Sequence, residues 1–129
     1  MAYEMTWVVP NTVLLATLHG PIPAEEVQII SDDMYREMES VTARSAIHLL
    51  IDVRGCTIQD KVWMYAKLDF KRHPKIGLSI VIGDSRIGGM VIAIFSKILN
   101  IQIRYSPTPE AALKVLQERD VTVAEYFDQ

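Results

Sequence analysis

The sequence predicts an α/β domain built on a mixed sheet of about five strands, and three observations carry that reading. Residues 46–53, Ala-Ile-His-Leu-Leu-Ile-Asp-Val, form a nearly continuous apolar run that ends on a carboxylate and is followed by a turn at Gly55. A strand this apolar needs cover on both faces, as in parallel or mixed sheets layered by helices. A second apolar run, residues 78–82, repeats the pattern, and segments of helical period alternate with these strands. The predicted order is β-β-α-β-α-β-α-β-α, an opening hairpin followed by alternating units with right-handed crossovers.

Each element has a local reason. Tyr3, Met5, Trp7 and Val9 alternate with Glu4, Thr6 and Val8, the period of a half-buried strand. Pro10-Asn11 is turn chemistry, and the β-branched residues 12–18 make the second arm of a hairpin. Gly20-Pro21-Ile22-Pro23 breaks the chain before a helix whose first turn carries Glu25 and Glu26, matching the positive end of its dipole. Val27, Ile30, Met34, Met38 and Val41 fall on one face of that helix, with Asp32, Asp33, Arg36, Glu37 and Glu39 elsewhere.

After the central strand Thr57 or Asp60 is expected to open a helix running to about Arg72, stopped by His73-Pro74. The strand at 78–82, a helix over 86–99 and a short strand at 101–105 follow. Thr108-Pro109-Glu110 caps a helix running to Arg119, and Thr122 is expected to cap one further turn carrying Val123, Tyr126 and Phe127.

Composition narrows the function classes. A chain of 129 residues with no Pro/Gly/Ser-rich linker is a single domain, spanning 1–129. The net charge of −3 and the scattered Lys and Arg give no support for nucleic acid or anionic lipid as partner. One cysteine, Cys56, leaves no intramolecular disulfide and suits a reducing cytoplasm. The N-terminus lacks the pattern of a signal peptide, and no apolar stretch approaches the ~20 residues of a membrane span. A cytoplasmic protein is expected.

The layout resembles the SpoIIAA-like group, the STAS and CRAL-TRIO-related domains. The resemblance rests on Leu18-His19-Gly20-Pro21 before the first long helix and Leu49-Leu50-Ile51-Asp52-Val53 on the central strand. Ile80-Val81-Ile82-Gly83-Asp84 and Pro109-Glu110-Ala111-Ala112-Leu113 complete it, and it covers residues 13–116. It implies a protein-interaction module of the kind that antagonises anti-sigma factors. Such modules are switched by phosphorylation of a serine in an Asp-Ser-Ser-Gly-like turn after the central strand. Here that turn reads Asp52-Val53-Arg54-Gly55-Cys56-Thr57, without the serine pair, so the phospho-switch does not carry over. CRAL-TRIO relatives enclose a lipid but are considerably larger.

Candidate chemistry gathers at the strand ends. Asp84-Ser85-Arg86, in the turn 83–89, sits where backbone N–H groups and an arginine can hold an anion. The turn lacks the Lys-Ser/Thr of a phosphate-binding loop, and a helix cap with close-packing Gly88 and Gly89 is the simpler account. With Asp52 and Arg54 these residues make a possible anion or ligand site. His48 and Asp52 share a strand face, but three or four clustered ligands are needed for zinc and are not evident, so no metal and no cofactor is expected. Asp52 is expected to accept hydrogen bonds from its own turn. No base–nucleophile pair is evident, and an enzyme is the least favoured class.

The segments 57–72 and 86–99 carry apolar residues around more of the helix than one buried face requires. Trp63, Met64, Leu68, Met90, Ile94 and Phe95 are candidate anchors, of residue types favoured at interfaces. The expectation is a non-enzymatic homodimer, or a domain binding a partner protein. The alternatives are carriage of a small apolar or lipid-like ligand between these helices, or mutual packing of the two over the sheet.

Overall fold

The computed structural model describes residues 3–41, 46–57, 74–83 and 103–128. The expected helices up to Arg72 and over 86–99 fall outside these residues; of the two starts expected for the first, Thr57 ends a strand instead of opening a helix, and Asp60 lies outside the described residues. Five strands form one mixed sheet in sequential order: β1 (Tyr3–Val9), β2 (Val13–Pro21), β3 (Ile47–Thr57), β4 (Ile76–Ile82) and β5 (Ile103–Ser106). β1 is antiparallel to β2, and every later pairing is parallel. Helix α1 (Ala24–Glu39) lies between β2 and β3 in sequence, and α2 (Pro109–Arg119) and α3 (Val121–Phe127) follow β5.

The opening hairpin turns through Pro10-Asn11, where Thr12 N–H reaches the Val9 carbonyl at 3.0 Å and Asn11 takes φ 62°. Proline then a left-handed residue is the type II pattern, which favours Asn or Gly at the second position. The simple alternation expected for β1 fails at its end. Trp7 pairs with Leu14 and Val9 with Val13, so Val8 is an extra residue in a bulge. The bulge sends Val9 to the opposite core from Tyr3, Met5 and Trp7, because one added residue reverses strand parity.

Two cores cover the sheet. On one face Leu14, Ala16, Leu18, Leu49, Ile51 and Val53 meet Val27, Ile30, Met34 and Met38 of α1. On the other, Val13, Leu50, Leu78, Ile80 and Ile82 meet Ala112 and Leu116 of α2 and Val123 of α3. Every residue of β3 from Ile47 to Val53 is buried, as a strand covered on both sides must be. Val41 lies beyond α1, which ends at Glu39, yet still packs against the first core. Thr108 caps α2 as expected, its side chain accepting from Ala111 N–H. The cap of α3 is Asp120, whose carboxylate accepts from the N–H of Thr122; Thr122 itself is not the cap. A carboxylate on the residue just before the helix meets its orphan amides better than a hydroxyl already inside it. Among the described residues, no helix is long and apolar enough to cross a membrane.

Candidate functional site

β4 and β5 end at Ile82 and Ser106, level with Asp52, while β2 and β3 run on together to Pro21 and Thr57, and this trailing part of β3 carries the charge. Thr17 pairs with Asp52 but His19 pairs with Gly55, so two residues of β2 span three of β3. This bulge lets Arg54 fold back on Asp52, two residues earlier on the same strand. Arg54 Nη2 donates to Oδ2 at 2.8 Å, Nε to Oδ1 at 3.0 Å and to Oδ2 at 3.2 Å, and its backbone N–H to Oδ1 at 3.1 Å. A carboxylate offers about four lone-pair directions, and three N–H groups of Arg54, with Nε–H shared between both oxygens, take up most of them.

The Asp52 side chain is 7% exposed and that of Arg54 49%. Burial alone would push the Asp52 carboxyl up. The Arg54 hydrogen bonds and charge outweigh it, and the carboxyl lies below its ordinary 3.8. Asp52 also feels the charge of His19, and Arg54 that of Glu110 in the first turn of α2, so these four groups share one electrostatic neighbourhood.

The leading end of β3 holds a histidine whose partners are not legible locally. Ile47 pairs with Ile76 and Leu49 with Ser79, so β4 carries an extra residue opposite His48. The Leu78 N–H freed by this bulge donates to His48 Nδ1 at 3.0 Å. The proton therefore sits on Nε2, which donates to Asp120 Oδ2 at 2.7 Å. Gly77 makes room for the ring: a Cβ there would lie 2.7 Å from His48 Nδ1 and 2.9 Å from the Ala46 Cβ. The imidazole thus ties β3, β4 and the α2–α3 junction together. His48 and Asp52 do share a sheet face, but roughly 13 Å of strand separates them, at about 3.3 Å per residue, and each is spent on different partners.

A third feature lies at the sheet's edge. Between β1 and α1 a cavity of about 380 Å³ is lined by Tyr3, Glu4, Met5, Asp33, Arg36 and Glu37. The Tyr3 hydroxyl and Arg36 both donate to Asp33, and Trp7 Nε1 donates to Glu37 Oε2 at 3.0 Å. The hydrogen bond to the Asp33 carboxylate, with burial and its charge, pushes the Tyr3 phenol up to about 12. This site could have been suspected from the i, i+4 spacing of Asp33 and Glu37, but strand–helix pairing is needed to set tyrosine and tryptophan against them.

Of the strand-end residues singled out from sequence, Asp52 and Arg54 are brought together; Asp84, Ser85 and Arg86 lie outside the described residues. So do Trp63, Met64, Leu68, Met90, Ile94 and Phe95. Among the described residues, no three His, Cys, Asp or Glu side chains converge into a group that could hold a metal.

No protein-family model matches the sequence, and no curated protein matches it. Among solved structures, the chain is similar to an uncharacterised protein of the DUF3478 family from Shewanella loihica, described as having a SpoIIAA-like fold. The two superpose with a TM-score of 0.60 at 18% identity, over 89% of this chain and 92% of that one. The layout of five sequential strands, the first antiparallel and the rest parallel, agrees with that match. The chain has a SpoIIAA-like fold.

Proposed function

We propose that the domain is a non-enzymatic regulatory or protein-interaction module of the STAS type, working in the cytoplasm as a homodimer or against a partner protein. One observation carries this reading: the carboxylate of Asp52, level with the carboxyl ends of β4 and β5 where open α/β sheets place their ligands, has both its oxygens held by N–H groups of Arg54. A general base needs a lone pair within reach of the proton it takes and an affinity for that proton, and the Arg54 bonds compete for the first and lower the second in Asp52. His48 is spent in the same way on Leu78 and Asp120. What faces solvent at this end of β3 is the outer side of a guanidinium, a recognition group.

The contact surface in this proposal is the apolar surplus of segments 57–72 and 86–99, with Trp63, Met64, Leu68, Met90, Ile94 and Phe95 as anchors. Light scattering across a concentration series tests it. A mass approaching twice 14.6 kDa supports self-association, and 14.6 kDa at every concentration removes the dimer. Native mass spectrometry of the same sample separates the rival carrier reading, which requires a retained apolar adduct.

A further inference from the structure

We propose that the outer edge of β1 docks an extended segment of a partner protein bearing lysine or arginine, a reading that rests on the interaction role above. The segment adds a strand to the sheet and sets a cationic side chain beside Asp33 and Glu37. β1 is the end strand, and among the described residues its ladder is with β2 alone. A row of backbone N–H and C=O groups therefore faces outward, which is the template that added strands use.

Proteins that must avoid such pairing shorten, charge or bulge the edge. Here the strand is seven residues long, carries Glu4 as its one charged side chain, and bulges only at Val8, three residues past Met5 of the cavity. Strand addition takes affinity from main-chain bonds and selectivity from pockets that accept alternate side chains. The 380 Å³ cavity against Tyr3 and Met5 is such a pocket. Glu4, of opposite strand parity to Tyr3 and Met5, lines it too, so the cavity opens along the strand's edge.

The charge around the cavity selects the occupant. Among the described residues that line it, Glu4, Asp33 and Glu37 stand against Arg36 alone. Tyr3 and Trp7 are neutral donors, so they fix the directions of Asp33 and Glu37 without cancelling their charge. Glu26, whose Oε2 is buried without a hydrogen-bond partner, adds to the negative field at Tyr3. Arg36 competes for Asp33, but its side chain is 73% exposed and free to be displaced. A second copy of this chain fits poorly, because its own β1 would bring Glu4 to the cavity instead of a cation.

Selection of displayed random heptapeptides on the full chain, followed by amide hydrogen exchange with the selected peptides, tests the proposal. Lysine or arginine should be enriched at alternating positions, and the β1 amides should gain protection. Glu37→Gln and Glu4→Lys should each weaken binding about fivefold, the upper range for one exposed charge pair, while Arg36→Gln should tighten it. Glu4 and Arg36 are exposed, so those two variants report on binding even if Glu37→Gln disturbs Trp7. Selection of neutral or acidic peptides, binding that leaves β1 unprotected, or a dimer abolished by Glu4→Lys would each overturn the proposal. A dimer that survives Glu4→Lys, alongside an unprotected β1, would overturn this surface and leave the interaction role standing.

Discussion

At the leading end of β3, the His48 side chain is 9% exposed and both ring nitrogens bond inward, to Leu78 and Asp120. At the trailing end Asp52 is as deeply placed, but its partner Arg54 keeps half its side chain in water. The first end uses a buried polar group to complete the backbone of a neighbouring strand and anchor a helix junction. The second uses a buried carboxylate to aim a surface cation. Both lie on one strand and one face, yet only the second presents anything to another molecule. Burial of an acid or a histidine near a strand end is therefore weak grounds for catalysis until its hydrogen bonds are followed.

The difference can be broken at the closed end first. His48→Ala leaves the Leu78 N–H and the Asp120 carboxylate without their partner, and should cost about 3 kcal/mol in denaturant unfolding. Adding Asp120→Ala should cost less than its effect alone, because the two residues share one interaction. Gly77→Ala pushes a methyl into the imidazole and should cost about 2 kcal/mol by overpacking. A Gly77→Ala protein as stable as the parent would mean that the ring can move, and the closed end would not be closed.

Acid sharpens the comparison next. Burial pushes the Asp120 carboxyl up, but the bonds from His48 and the Thr122 N–H outweigh it and hold it below its ordinary value, as Arg54 does for Asp52. Each folded value lies below the unfolded one. The stabilisation is complete above about pH 4 and disappears as pH falls through the folded values. Asp52→Asn and Asp120→Asn should each flatten the loss of stability on acidification, measured as unfolding midpoints down the acid limb.

An alkaline counterpart lies at the edge, where the Tyr3 phenol is pushed up to about 12 against an ordinary 10.0. Its stabilisation is present below 10 and fades as pH rises towards 12. Ultraviolet titration of the phenols should show one late tyrosine that Asp33→Asn returns to the ordinary range.

Much of the fold was legible because apolar continuity and helical period are local. The hairpin, α1 with Glu25 and Glu26, β3 and the Thr108 cap all follow from neighbouring residues. Three bulges were not, because a bulge is a property of two strands. Val8 against β2, Val53-Arg54 against β2, and Gly77-Leu78 against β3 each depend on register set elsewhere in the chain. The same reason hid the candidate sites. Asp52 accepting from its own turn was readable from two residues of separation, whereas His48 with Asp120 is separated by seventy-two. The cap of α3 was misplaced by two residues, because Asp120 serves the helix and His48 at once.

Site-resolved carboxyl titration of Asp52 by NMR, in the parent chain and in Arg54→Gln, tests most directly whether the end of β3 is a locked recognition feature. The account predicts a value below 3.8 in the parent that climbs when the guanidinium is lost. A carboxyl titrating near neutrality, or one indifferent to Arg54, would mark Asp52 as a free base and contradict the non-enzymatic reading.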